Sequence, residues 1–236
     1  MGMKVTYIKH SCFLIEWDEC VWIFDYWKGR LPELDRGKKI IVFGSHCHDD
    51  HFNPDIVKAL KDYSNVEYVL SDDIRFRDEK KIIRLAPGEC CETDDGAGNS
   101  IMVRTFESTD CGVAFLVAYQ SRNIYHAGDL NCWVWKEDNE EENRMMENTY
   151  QKILARIKEA APAIDVAFLP LDSRQEEWSA KGINAFMEAV DAKTVFPMHF
   201  WKKYEIIEHL KASEEAKAYA DRVMSIQEEG QNFELA

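Results

Sequence analysis

The sequence predicts an α/β protein made of sheets with helices packed outside them. Three observations carry this: strand-length apolar runs open the chain as a meander, a second antiparallel-looking group of strands follows, and helical periodicity appears only between and after them. With 236 residues, 46% hydrophobic, 12% aromatic and 31% charged, the chain can bury a substantial core unaided. No linker, repeat or low-complexity stretch divides it, so a single domain over residues 1–236 is expected.

Val5 to Ile8, Cys12 to Trp17 and Cys20 to Tyr26 read as the opening strands, with Asp18-Glu19 turning between the last two. Lys39 to Phe43 is a short buried strand ending in Gly44-Ser45, and Pro54 opens an amphipathic stretch that ends near Tyr63. Val66 to Leu70 and Lys80 to Leu85 are further strands. Ile101 to Phe106, Gly112 to Tyr119 and Asn123 to His126 form the second group, entered by the turn Asp94-Asp95-Gly-Ala-Gly. From Glu137 the pattern reads as an acidic loop feeding a helix (Tyr150, Ile153, Leu154, Ile157) that stops before Pro162. Ile164 to Leu169 is a buried strand, Ile183 to Val190 a helix and Thr194 to Pro197 a strand. Tyr204 to Tyr219 is a long amphipathic helix, and Arg222 to Ile226 a last strand.

Forty-three acidic against 29 basic side chains leave a net charge of −14, which repels nucleic-acid backbones and argues against a nucleic-acid partner. The longest apolar run, Val113 to Tyr119, is far below the ~18 residues a membrane span needs. The N-terminus lacks a secretory pattern, so a cytoplasmic location is expected. Seven cysteines without a C-x-x-C pair read as reduced thiols, several of them packing as small hydrophobes.

The chemistry concentrates in His46-Cys-His48-Asp-Asp50-His51, directly after the strand ending at Gly44. Residues two apart in an extended segment point the same way, so His46 and His48 can face one ion while the turn carries Asp50 and His51 to a second. Cys47 faces away and is expected to pack. Farther on, Ile124-Tyr-His-Ala-Gly-Asp129 and Val195-Phe-Pro-Met-His199 each end a strand with a ligand-type residue.

This pattern resembles the H-x-H-x-D-H signature of the metallo-β-lactamase-fold hydrolases, in particular their lactonase-like, Zn-dependent branch, and the likeness runs from His10-Ser11 to Met198-His199. The resemblance implies a four-layer αββα sandwich with two divalent metal ions, zinc in first place and manganese or iron as alternatives. It implies metal ligands at His46, His48, Asp50, His51, Asp129 and His199, with Asp129 bridging. The family usually supplies a third histidine to the first metal, but no histidine lies between His51 and His126. Asp110, in the loop Glu107 to Gly112, is the expected oxygen substitute, and a turn aspartate is the alternative. A carboxylate there makes the site harder, which favours manganese or iron more than an all-imidazole site would. His10 matches an outer or structural element of that branch. For His126 both a ligand role and buried packing stay open.

Trp133, Trp201 and Arg174 are expected on the rim, the tryptophans as a pocket wall and Arg174, with Lys202 and Lys203, as a holder of an anionic group. The implied reaction is hydrolysis by a metal-bridged hydroxide, with Asp50 as the catalytic residue that orients the water or moves its proton. The implied substrate is a small ester, lactone or phosphoester, with or without an anionic group. A small-molecule phosphodiesterase and a catalytically decayed metal-dependent sensing module are the alternatives.

Overall fold

The computed structural model describes residues 2–161 and 163–236. Seven strands form one sheet: β1 (Met3–Lys9), β2 (Cys12–Glu16), β3 (Cys20–Phe24), β4 (Lys39–Gly44), β5 (Val66–Ser71), β6 (Lys81–Leu85) and β13 (Asn232–Leu235), ordered β13-β1-β2-β3-β4-β5-β6. The other sheet holds β7 (Cys90–Asp94), β8 (Ser100–Glu107), β9 (Val113–Tyr119), β10 (Arg122–His126), β11 (Ile164–Pro170) and β12 (Ala192–Met198), ordered β12-β11-β10-β9-β8-β7. The β1-β2-β3 meander is antiparallel and β3 to β6 run parallel. Likewise β7 to β10 are antiparallel, whereas β10, β11 and β12 are parallel.

Side-chain alternation explains the layering. On β2, β3 and β4, Phe13, Ile15, Trp22, Phe24, Ile41 and Phe43 face the other sheet, where Phe13 meets Phe168 at 4.5 Å and Phe43 meets Phe115 at 5.5 Å between ring centres. The intervening Leu14, Val21, Ile23, Ile40 and Val42 pack outward under Phe52, Ile56 and Leu60. Strands covered on both faces read as unbroken apolar runs. Over the second sheet lie α2 (Glu140–Ala160) and α3 (Lys181–Ala189), with Tyr125 stacked on Phe186 at 5.1 Å. Helix, sheet, sheet, helix is the resulting order of layers.

Several elements differ from the sequence reading. The stretch from Pro54 keeps only one helical turn, α1 (Ile56–Ala59), with no side-chain cap. The acidic residues before α2 are its first turn: Asn139 and Glu142 make a reciprocal capping box, and Glu140, Glu141 and Glu142 sit where the helix dipole favours negative charge. That helix ends at Ala160; Pro162 lies outside the described residues. The long terminal helix shrinks to α4 (Glu205–Ala212), because Ser213 turns extended and its hydroxyl donates to the Leu210 carbonyl while accepting from Ala216 N. Arg222 to Ile226 forms only a bridge from Val223 to Val195, and the last strand is β13 instead. Strand β7 has little apolar signal and was not legible. All seven cysteines are free, and Cys47 is exposed rather than packed. No helix among the described residues is long and apolar enough to cross a membrane.

Candidate metal centre

Six strand ends deliver the site. His10 follows β1, Asp25 follows β3, Ser45 and His46 follow β4, Asp129 lies just beyond β10, Asp172 just beyond β11, and His199 follows β12. Ligand sites at the carboxyl ends of parallel strands are the rule in α/β sheets. The turn that separates the two halves of the His46–His51 motif is closed by His51 N and Phe52 N, both donating to the His48 carbonyl at 3.0 Å. His10, Asp25 and His199 hold left-handed backbones (φ 56°, 46° and 64°), a conformation retained by non-glycine residues only where the surroundings over-determine it.

Asp129 stands at the centre. Its Oδ1 lies 3.0 Å from His51 Nε2 and 3.4 Å from His199 Nε2, and its Oδ2 lies 3.5 Å from His46 Nε2. None of these approaches makes a hydrogen bond: His46 Nε2, His51 Nε2, His199 Nε2 and Asp129 Oδ1 are all buried without a partner. Two atoms each ~2.1 Å from one ion stand ~3.0 Å apart at right angles and ~3.4 Å apart at the tetrahedral angle. The observed spacings are therefore those of ligands around ions rather than of groups bonded to one another. Candidate donor atoms of His46, His48 and Asp129 lie within 4.8 Å of one another, as do those of His10, Asp50, His51 and His199. These residues fit the binding of divalent metal around the Asp129 carboxylate.

Outer hydrogen bonds set which ring nitrogen faces inward. Asp25, fully buried, accepts from Ser45 N, Ser45 Oγ and His51 Nδ1, each at 2.7 Å. With its own hydrogen given to Asp25, Ser45 Oγ is left to accept from His46 Nδ1 at 3.0 Å. Asp172 accepts from His199 Nδ1 at 2.9 Å and is gripped by Arg174 through Nε and a terminal nitrogen at 2.6–3.0 Å. In all three imidazoles Nδ1 is engaged outward and Nε2 points in, the orientation a metal ligand requires.

The same contacts set the charges. Burial pushes His10 and His46 down to about 4, so both are neutral near pH 7. Burial also opposes the proton on His51, yet Asp129 and Asp25 on either side outweigh it and hold the imidazole well above its ordinary value. Burial would raise Asp129, but His51, His199 and His46 keep it ionised. Asp50 and Asp172 are held well below the usual carboxylate range against their burial, by His10 and His51 in one case and by His199 and Arg174 in the other.

Asp110 sits at the mouth, 3.8 Å from His48 Nδ1, both side chains nearly half exposed. Its carboxylate and the Cys111 thiol group with His48 alone, not with His46 and Asp129. His126 is no ligand: its Nε2 donates to the Ser11 carbonyl at 3.0 Å, its Nδ1 accepts from Gly128 N, and its ring stacks on Phe24 at 4.9 Å. Trp22 is buried between the sheets. Beside Asp129 opens a cavity of about 330 Å³, lined by Thr109, Asp110, Trp133, Trp135, Met146 and Arg174 among others. Trp133 also donates to the Asp129 carbonyl at 2.8 Å, and its ring lies parallel to Trp135 at 5.9 Å. The Arg174 guanidinium lies 4.9 Å from the Trp201 ring and 5.9 Å from that of Trp135. Lys202 and Lys203 do not line this cavity; Lys202 pairs with Glu229 at 3.5 Å. Asp25 and Asp172 were not singled out in the sequence. Their one signal is an acid placed directly after a buried apolar strand, the same weak signal that marks Asp129.

A sequence profile of the β-lactamase superfamily domain matches residues 4–145. No curated protein matches the chain. Among solved structures, Igni18, a metallo hydrolase from the hyperthermophilic archaeon Ignicoccus hospitalis, shares the fold with a TM-score of 0.71 at 18% identity, over 100% of this chain and 99% of its own. YhfI from Bacillus subtilis, a metallo-β-lactamase fold protein, gives 0.61 at 14% identity over 99% of both chains. An isothiocyanate hydrolase from Delia radicum gut bacteria gives 0.58 at 14% identity over 98% of both. With the profile spanning more than half of the chain, its six converging strand ends and its layered sheets have a common origin: the chain belongs to the β-lactamase superfamily and has the metallo-β-lactamase fold.

Proposed function

We propose that the chain is a metal-dependent hydrolase that takes two divalent ions, zinc first with manganese or iron as alternatives, and acts on a small anionic ester, lactone or phosphoester. The observation that carries this is the set of inward, unpartnered Nε2 atoms of His46, His51 and His199 around the unpartnered Asp129 Oδ1. Leaving such groups buried and unpaired costs about 1–3 kcal/mol each, a cost that ion binding removes. Divalent ions in such a site act as Lewis acids toward water and toward the scissile carbonyl or phosphoryl group. Asp50, ionised and about one quarter exposed at the side chain, accepts a hydrogen bond from the attacking water and fixes its direction. Arg174, half exposed while its inner edge grips Asp172, turns its free N–H groups to the substrate anion. Trp133 and Trp135 wall the cavity and exclude water from the reacting bond, while Trp201 lies outside its lining, against the Arg174 guanidinium. Of these ligand candidates Asp110 touches only His48, 3.8 Å from its Nδ1 at the mouth, and stands apart from His46 and Asp129.

The test is a panel of lactones, carboxyl esters and phosphodiesters offered to protein loaded with Zn²⁺, Mn²⁺ or Fe²⁺, followed by Asp50→Asn on whatever substrate turns over. Expected is ion-dependent hydrolysis, abolished by chelation and lowered by at least about 100-fold in kcat by the substitution. Bound ions with no turnover on any panel member would favour a sensing module. Full activity in Asp50→Asn would remove Asp50 from the reaction.

A further inference from the structure

We infer that His10 is itself a metal ligand, so that the half of the site holding Asp50, His51 and His199 is a five-donor pocket that binds an ion tightly, while the His46–His48 half binds its ion loosely. The inference rests on the metal-dependent reading above and assigns a residue to it that the His-x-His-x-Asp-His pattern does not contain.

His10 is 4% exposed and its Nε2 is buried with no hydrogen-bond partner. That nitrogen stands 3.4 Å from Asp50 Oδ2, outside hydrogen-bond geometry but at the separation of two ligands on one ion. Its ring centre is 4.1 Å from that of His199. The ring is held in place from all sides: His10 N donates to Tyr7 Oη at 2.9 Å, the His10 carbonyl accepts from His199 N, and Trp27 and Trp201 flank the imidazole at 5.5 and 4.4 Å. A left-handed backbone at φ 56° aims it inward. With Asp129 Oδ1 shared, this pocket offers three imidazoles and two carboxylates. By contrast the other half has His46, a nearly half-exposed His48 and the second oxygen of Asp129, with Asp110 touching only the outer side of His48. Preorganised, buried donors bind an ion with less ordering cost than exposed ones.

Protein freed of ions by chelation is titrated with Zn²⁺ against a competing chelator, and the singly loaded form is read by X-ray absorption for the number of imidazoles on the ion. Wild type is expected to take a first equivalent more tightly than the second, with three imidazoles. His10→Asn keeps a residue suited to the left-handed backbone. It should weaken the first equivalent by at least the ~10–100-fold that loss of an outer partner costs and lower the count to two. His48→Ala should remove the second equivalent alone. A count of two in singly loaded wild type, or unchanged affinity and count in His10→Asn, overturns the assignment of His10 and leaves the hydrolase reading standing. Wild type that takes up no ion overturns both. Because the wild-type count decides the matter by itself, the test survives a variant that fails to fold.

Discussion

Replacing Asp25 by Asn keeps the shape of a fully buried side chain and alters only its hydrogen bonding. Three donors converge on the carboxylate at 2.7 Å: Ser45 N, Ser45 Oγ and His51 Nδ1. An amide has one oxygen. If its NH₂ takes the place of Oδ1, it meets the backbone N–H of Ser45 head-on. If it takes the place of Oδ2, it meets the Ser45 hydroxyl and the His51 Nδ1–H donor to donor, and His51 loses the acceptor that aims its Nε2 at Asp129. At least one buried donor is stranded in either case, at about 1–3 kcal/mol. Disturbing an outer partner of this kind costs ~10–100-fold in ion affinity, equivalent to ~1.4–2.7 kcal/mol. Zn²⁺ affinity by chelator competition, with thermal melting of the ion-free protein alongside, reads both effects. An affinity within about twofold of wild type would refute the claim that Asp25 orients His51 for an ion.

Other outcomes follow from single contacts. In Gly112→Ala the new Cβ would sit 2.1 Å from the Ser45 carbonyl oxygen and 2.5 Å from His46 Cβ, at φ +63°. Urea unfolding should show a loss of more than about 2 kcal/mol, with ion uptake weakened because His46 is displaced. Arg174→Met should raise KM for an anionic substrate more than it lowers kcat, and leave KM for a neutral analogue unchanged. The ion-free protein should be labile in mild acid. His10 and His46, buried and neutral with values of about 4 against 6.5 unfolded, each contribute up to about 3 kcal/mol that is present above pH ~6.5 and lost as pH falls toward ~4. His51, held protonated, adds no slope in that window; its contribution is instead lost as pH rises above ~6.5. Denaturant melts of ion-free wild type and His10→Asn between pH 4 and 6.5 check this, the variant having the shallower dependence.

Much of the fold was legible because its signals are local. Strands such as Cys20–Phe24 and Lys39–Gly44 announce themselves as apolar runs, and the ligand-type residues of the His46–His51 turn stand within six positions of one another. What was misjudged depends on contacts the local pattern does not contain. The helix from Tyr204 stops early because one serine hydroxyl offers the backbone an alternative, and β13 forms only because the edge of β1 is there to receive it.

From the sequence alone came the paired imidazoles, the acid after Gly128, the final histidine and the family they resemble. The tertiary structure alone decided that Asp25 and Asp172 hold the outward nitrogens of His51 and His199, that His10 Nε2 is buried beside Asp50 while His126 is bonded to backbone, and that Asp110 stays at the mouth. Each of these is a lone residue at a strand end, and its role depends on which strand ends the packing of two sheets brings within hydrogen-bonding distance. Spacing along a chain encodes neighbours on one strand or turn, whereas the meeting of distant strand ends is fixed by the burial of the apolar faces between them.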